Sequence, residues 1–193
     1  MLKQITDKYN IILASKSPRR KELLKKIIDN FNIEIRPINE VYPKNLKREE
    51  IALYLSEHKA KEFNPFYNQL IITADTIVIL KDIILGKPAN KNEAFKMLKM
   101  LSGKTHEVIT ACTIFTTDHF KSFYDITEVT FYKLSDEEII SYIDKCHPMD
   151  KAGSYGIQEW MGYVGIKKMN GDFFNVMGLP LHLLYRELLN LDQ

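Results

Sequence analysis

Apolar residues along this chain switch repeatedly between the spacing of strands and the spacing of helices. Ile11-Ile12-Leu13-Ala14 is a short unbroken apolar run followed by turn residues, the pattern of a buried strand. Pro18 to about Ile28 reads as a helix, with Ser17 as N-cap and Pro18 at the first helical position. Residues 49–63 keep helical spacing through Ile51, Ala52, Tyr54, Leu55, Ala60 and Phe63. Leu70 to Leu80, rich in Ile, Val and Thr, predicts a strand that turns at Lys81-Asp82 and returns through Ile83-Ile84-Leu85. Asn90 and Glu93 resemble a capping box, Ala94, Met97, Leu98 and Leu101 line one helical face, and Gly103 ends it. Residues 106–117, 122–134 and 162–169 read as strands. Ser135 with Glu138 opens a helix to about Lys145, and Pro180 starts a last one through Leu188. The predicted order, β-α-α-β-β-α-β-β-α-β-α, is that of an α/β protein with a mixed sheet flanked by helices.

Bulk composition narrows the function classes. The 193 residues carry 45% hydrophobic and 27% charged side chains, a globular balance in which one domain spanning 1–193, or one domain of two lobes, is expected. A net charge of +2 argues against nucleic acid as the main partner, so any positive charge that matters must be local. Cys112 and Cys146 are too few for a disulfide framework and suit a reducing cytoplasm. Charges interrupt the opening run Met1–Lys8, unlike a secretory leader, and no apolar run reaches membrane-spanning length. The expectation is a cytoplasmic protein with no membrane partner.

Several short segments carry candidate chemistry. Ser15-Lys16-Ser17-Pro18-Arg19-Arg20-Lys21 follows a strand and opens a helix, placing cations where the helix field favours anions. A bound phosphate would reverse that penalty; a solvated basic turn paired with acids elsewhere is the other reading. Asp75, in Thr73-Ala74-Asp75-Thr76, lies inside the apolar run of the predicted strand. It must be paired, metal-bound or open to a cleft. A salt bridge to Arg19 or Arg20 answers that need as well as a catalytic role does. Gly86-Lys87-Pro88 is a turn that could aim an ammonium, or simply an exposed lysine. In Asp150-Lys151-Ala152-Gly153-Ser154-Tyr155-Gly156-Ile157-Gln158, two glycines permit close backbone approach and Gln158 offers a donor and an acceptor, while an ordinary loop fits equally. Gly171–Pro180 reads as a turn and helix start with a structural role. Histidines at 58, 106, 119, 147 and 182 lack zinc-centre spacing, and neither a Walker loop nor G-x-G-x-x-G is present.

Together these segments resemble the Maf family of nucleotide pyrophosphatases. The match runs through Leu13–Leu24, Lys59-Ala60, Ala74-Asp75-Thr76, Gly86-Lys87-Pro88, Leu101–Val108, Asp150–Gln158 and Asn175–Leu181, in family order across nearly the whole chain. The resemblance implies an elongated mixed α/β fold with a central cleft, like that of inosine triphosphate pyrophosphatases. It implies a hydrolase that cleaves nucleoside triphosphates to monophosphate and pyrophosphate, clearing the nucleotide pool. A three-residue signature marks members acting on dTTP and UTP, and Arg19, Thr76 and Gln158 match it. The resemblance assigns Asp75 as proton acceptor, Asp75 and Glu40 as ligands of Mg²⁺ or Mn²⁺, and Ser15, Arg20, Lys59 and Lys87 to the substrate. A homodimer is a further implication. Two departures stand out: Lys16 replaces a small residue, and Glu159-Trp160-Met161-Gly162 replaces the glycine usual after Gln158, beside the expected base-binding wall. The competing functions are a pyrophosphatase for modified or purine nucleotides and a non-catalytic nucleotide-binding regulator of cell division.

Overall fold

In sequence order the chain forms α1 (Lys3–Lys8), β1 (Asn10–Leu13), α2 (Pro18–Leu24), β2 (Asn32–Ile33), α3 (Glu49–Lys61), β3 (Gln69–Leu80), β4 (Ile83–Leu85), α4 (Lys91–Leu101), β5 (Thr105–Phe115), β6 (Phe120–Phe131), α5 (Asp136–Cys146), β7 (Ile166–Asn170), α6 (Phe173–Met177) and α7 (Leu181–Asn190). The computed structural model describes residues 2–191. Among them a seven-stranded sheet runs in the order β2-β1-β3-β5-β6-β7, with β4 paired to β3. It is mixed: β1 is parallel to both β2 and β3, whereas β3–β4 and β6–β7 are antiparallel. The α/β class with a mixed, helix-flanked sheet is as expected. No helix among the described residues is long and apolar enough to cross a membrane.

The described chain divides into two compact units. The first comprises residues 1–75, 110–125 and 178–193; the second comprises 76–109 and 126–177. Within the first, Ile11, Ile12 and Leu13 are buried on both faces of β1, which explains their unbroken apolar run. Their register against β3 pairs Ile11 with Leu70 and Leu13 with Ile72. β1 releases the chain into α2, where the Ser17 hydroxyl accepts the Arg20 backbone N–H at 3.4 Å and Pro18 begins the helix. This helix stops at Leu24 rather than near Ile28: Lys26 and Ile27 bond back only three residues, to Leu23 and Leu24, so the apolar run ends in tight turns. α3 buries Ile51, Ala52, Leu55, Ser56 and Ala60.

The second unit closes a core of Val78, Leu98, Leu101, Val129, Phe131, Ile139 and Tyr142. α4 packs on α5 there. At α5 the capping box is complete, Ser135 and Glu138 each accepting the other's backbone N–H. At α4 it is not: the Asn90 side chain accepts the Glu93 N–H, but Glu93 turns its carboxylate to Ala89 N at 2.7 Å. The strand predicted over 162–169 begins at Ile166 instead. Met161–Gly165 forms a π-helical turn before it, where a Cβ on Gly165 would lie 2.4 Å from the Met161 sulfur.

Candidate functional site

Alternation along β3 puts Thr73 and Asp75 on one face, and that face meets α3. Thr73 Oγ1 donates to the Ser56 carbonyl at 2.7 Å. Three residues further along α3, the Lys59 ammonium bonds the Asp75 carboxylate. A spacing of two on the strand thus matches a spacing of three on the helix. The Thr73–Ser56 contact is buried and the Lys59–Asp75 pair is part-buried, with Asp75 8% exposed. The Ser56 hydroxyl also shares a hydrogen bond with Thr113 of β5 at 2.8 Å, and Thr113 shares one with Ser122 of β6 at 3.0 Å. This chain of hydroxyls fixes α3 against the strands, and through α3 it fixes Lys59. Sequence reading missed Ser56 and Thr113; the available signal was a serine on the buried stripe of α3, one turn before the lysine.

Lys59 has a second acid. Its ammonium stands 3.0 Å from Glu40 Oε1, so one cation holds two carboxylates, Asp75 buried and Glu40 exposed. Beside this triad lies the start of α2. Arg20 Nε donates to the Gly178 carbonyl at 2.7 Å, and its Nη1 donates to Ser15 Oγ at 3.4 Å. Ser15 Oγ also accepts the Ser17 backbone N–H at 3.2 Å. Burial pushes the Arg20 guanidinium below its ordinary value, with Asp75 and Glu40 pulling it back up and Arg19 pushing it further down. Arginine remains a cation through such a shift.

The first unit therefore brings together Ser15, Arg20, Glu40, Lys59 and Asp75, with Arg19 close enough to act on Arg20. The partner of buried Asp75 is Lys59, not Arg19 or Arg20, which the sequence suggested; Arg20 acts on it through its field. Two carboxylates converging on one cation are a donor set that suits a hard divalent ion completed by water. Nearby Cys112 offers no thiolate, since burial pushes its thiol up to about 12 against the pull of Arg20.

Thr76, Lys87 and Gln158 belong to the second unit. Thr76 is the residue of β3 after Asp75, and it is half-buried. Lys87 is exposed in the turn after β4. The preceding residue, Gly86, accepts the Gly153 N–H at 3.0 Å, which ties this turn to the glycine-containing segment that ends in Gln158. Gly153 has φ +68°, and a Cβ there would meet Val78 at 3.0 Å, so this position requires glycine. Gln158 is half-buried, and its side-chain amide has no hydrogen bond among the described residues. Asn175 is fully buried and bridges Val108 O at 3.0 Å and Thr127 Oγ1 at 2.9 Å, which accounts structurally for the segment before Pro180.

The family comparison and the curated relatives agree. A family model described as Maf-like protein matches residues 10–191. A dTTP/UTP pyrophosphatase of Phocaeicola vulgatus is 54% identical over 185 residues, covering 94% of this chain and 96% of that protein. Another, of Flavobacterium johnsoniae, is 46% identical over 193 residues, covering 99% of this chain and 100% of that one. One from Porphyromonas gingivalis is 50% identical over 186 residues and 94% of each chain. Among solved structures, the Staphylococcus aureus Ham1 protein aligns with TM-score 0.46 and 15% identity over 92% of this chain and 98% of that one.

Proposed function

Because the chain belongs to the Maf family, we propose that it is a nucleoside triphosphate pyrophosphatase that hydrolyses dTTP and UTP to the monophosphate and pyrophosphate. The observation that carries the reading is the Asp75–Lys59–Glu40 triad beside the start of α2. It joins a buried carboxylate, a shared cation and two arginines at a helix N-terminus, which is what cleavage of a phosphoanhydride needs.

In the reaction, the oxygen of a water attacks the α-phosphorus, the bond to the bridging oxygen breaks, and pyrophosphate leaves. The water's proton passes to the Asp75 carboxylate. Lys59 holds that carboxylate in place through its hydrogen bond, and α3 holds Lys59 through Ser56 and Thr73. Near neutral pH a triphosphate carries about four negative charges, since the second ionisation of a phosphate lies near pH 6. Arg19 and Arg20 meet that charge with guanidinium forks, and the backbone N–H groups at the start of α2 add their partial charge. Fixed charges of this kind stabilise the transition state without reorganising, usually the largest single contribution. Glu40 and Asp75 are the residues that would hold Mg²⁺ or Mn²⁺, which supplies charge neutralisation and polarisation of the phosphate oxygens when bound. Lys87 is assigned to the phosphates, and Thr76 and Gln158 to the base. One primary amide presents a donor and an acceptor side by side, the complement of the carbonyl and imide N–H edge common to thymine and uracil.

The test is pyrophosphate release from a panel of pyrimidine and purine triphosphates with no metal, Mg²⁺ or Mn²⁺. Turnover of dTTP and UTP ahead of the purines, dependent on the ion, is expected. Preference for purine or modified nucleotides overturns the substrate assignment. Tight binding without turnover under every metal condition overturns the enzymatic reading in favour of a nucleotide-binding regulator.

A further inference from the structure

Glu159, the first residue of the departure from the family pattern, is not a solvated surface acid. Its carboxylate accepts the Tyr142 hydroxyl and pairs with the buried Lys151 ammonium at 3.0 Å. The Tyr142 oxygen in turn accepts the Gly156 backbone N–H at 2.9 Å. One hydroxyl on α5 thus grips both ends of the four-residue turn Gly156-Ile157-Gln158-Glu159. The turn is also closed directly, Glu159 N donating to Gly156 O at 3.2 Å. The Gln158 carbonyl accepts the Tyr163 hydroxyl. A Cβ on Gly156 would lie 2.8 Å from the Glu159 carboxyl carbon and 3.0 Å from Lys151 Cε, so the glycine makes room for this carboxylate. Burial and the bond to Glu159 push the Tyr142 hydroxyl up, leaving it a donor across the working pH range.

The outcome is a turn whose backbone is held at Gly156, at the Gln158 carbonyl and at Glu159, while the Gln158 side-chain amide makes no hydrogen bond among the described residues. An amide discriminates between base edges only if its origin is fixed, because a free one adapts to either edge and pays ordering entropy on binding. We propose that Glu159 is a positioning residue for base selection, locking the turn that carries Gln158 through Tyr142 and Lys151. The inference rests on the reading of Gln158 as the group that reads the base.

The experiment measures kcat and KM for dTTP, UTP, dATP and dGTP in the parent and in Glu159→Ala, Glu159→Gln, Tyr142→Phe and Gln158→Ala. Glu159→Ala should raise KM for dTTP and UTP about tenfold or more and shrink their advantage over the purines by a like factor, the scale of a small misplacement of a binding group. Its kcat should stay within about threefold of the parent, since the reacting residues are untouched. Glu159→Gln keeps an oxygen for the Tyr142 hydroxyl and should recover most of the preference. Tyr142→Phe removes both grips and should behave like Glu159→Ala. Parent-like preference in Glu159→Ala, or an equal loss of kcat on all four nucleotides with KM unchanged, overturns the positioning role. If Glu159→Ala does not fold, Tyr142→Phe decides: a parent-like ratio overturns the proposal and a collapsed one supports it. A parent without pyrimidine preference, or a Gln158→Ala enzyme that keeps it, overturns the base-reading assignment itself. A Gln158→Ala enzyme that loses preference while Glu159→Ala keeps it sinks the positioning role alone.

Discussion

Replacing Asp75 by asparagine separates chemistry from stability, because of how Lys59 is partnered. Removing one member of a buried ion pair costs about 3–5 kcal/mol when the survivor is left uncompensated. Lys59 is not left so, since Glu40 stays 3.0 Å away and the asparagine oxygen can still accept from the ammonium. Arg20 likewise keeps its bonds to Gly178 O and Ser15 Oγ. The expected cost of Asp75→Asn is therefore about 1 kcal/mol, on the scale of one weakened hydrogen bond, or roughly 2–4 °C in Tm for a chain of this size. Its kcat should fall by about 10²–10⁴, the usual contribution of a positioned base. Lys59→Met is the converse. It leaves the Asp75 carboxylate, 8% exposed, beside Glu40 with only the field of Arg20 to offset them, at about 1–3 kcal/mol and roughly 2–12 °C. Pyrophosphate release measured alongside thermal melts tests both halves. An Asp75→Asn protein that turns over at the parent rate removes Asp75 from the mechanism. A Lys59→Met protein that melts with the parent refutes the account of the triad.

Gln158→Ala should lose the preference for dTTP and UTP over purine triphosphates while keeping kcat within about threefold, read from the same nucleotide panel. Mn²⁺ or Mg²⁺ at about 100 times its Kd should raise the stability of the parent by about 2.7 kcal/mol, and Glu40→Gln or Asp75→Asn should abolish the shift; an unchanged shift in both variants places the ion elsewhere. His106, buried against Phe131 and bonded to Tyr155 at 2.7 Å, has its value lowered by burial from 6.5 to about 4. The unfolded chain binds the proton more readily, so this contribution is whole above about pH 6.5 and is lost as pH falls through about 4, amounting to about 3 kcal/mol. Melts of the parent and His106→Gln between pH 7 and pH 4 should show the smaller acid slope in the variant, and parallel slopes would contradict the assignment.

Short-range signals in the sequence translated well into structure. Ser17-Pro18 starts α2, Lys81-Asp82 turns β3 into β4, and Ser135 with Glu138 caps α5, because each depends on residues within four positions of one another. Apart from α4, where Glu93 accepts the Ala89 N–H instead of closing the box with Asn90, what failed depended on contacts distant in sequence or on packing. β2 is two exposed residues, Asn32-Ile33, paired with β1 and tied to it by the Asn32–Asn10 side-chain bond, so no periodicity marks it. The run at 162–169 reads as a strand by composition, but Gly165 packs against the Met161 sulfur and the chain coils once before extending. Asp75 shows the same division within the site. That it needs a partner follows from its apolar neighbours alone. That the partner is Lys59 follows only once α3 lies on β3 with Thr73 against Ser56.

That packing also resolves the oddity at the start of α2. Arg19 and Arg20 occupy a first turn whose field disfavours each cation by about 0.3–1 kcal/mol. The chain offsets this internally: Ser17 caps the helix, Gly178 O and Ser15 Oγ take two N–H groups of Arg20, and the charges of Asp75 and Glu40 bear on its guanidinium. The compensating carboxylates are those proposed to hold the divalent ion. Under the proposed function, a triphosphate settling at α2 would supply the guanidinium groups with their own anions, so that the carboxylates would no longer serve as counter-charges and would be available to the cation that accompanies the nucleotide. Metal and nucleotide should therefore bind with positive coupling, each removing a charge that would otherwise oppose the other, and the coupling must be reciprocal. On that proposal Arg20 and Lys59 would be more than anion ligands, since in the nucleotide-free chain their charges offset those of Asp75 and Glu40.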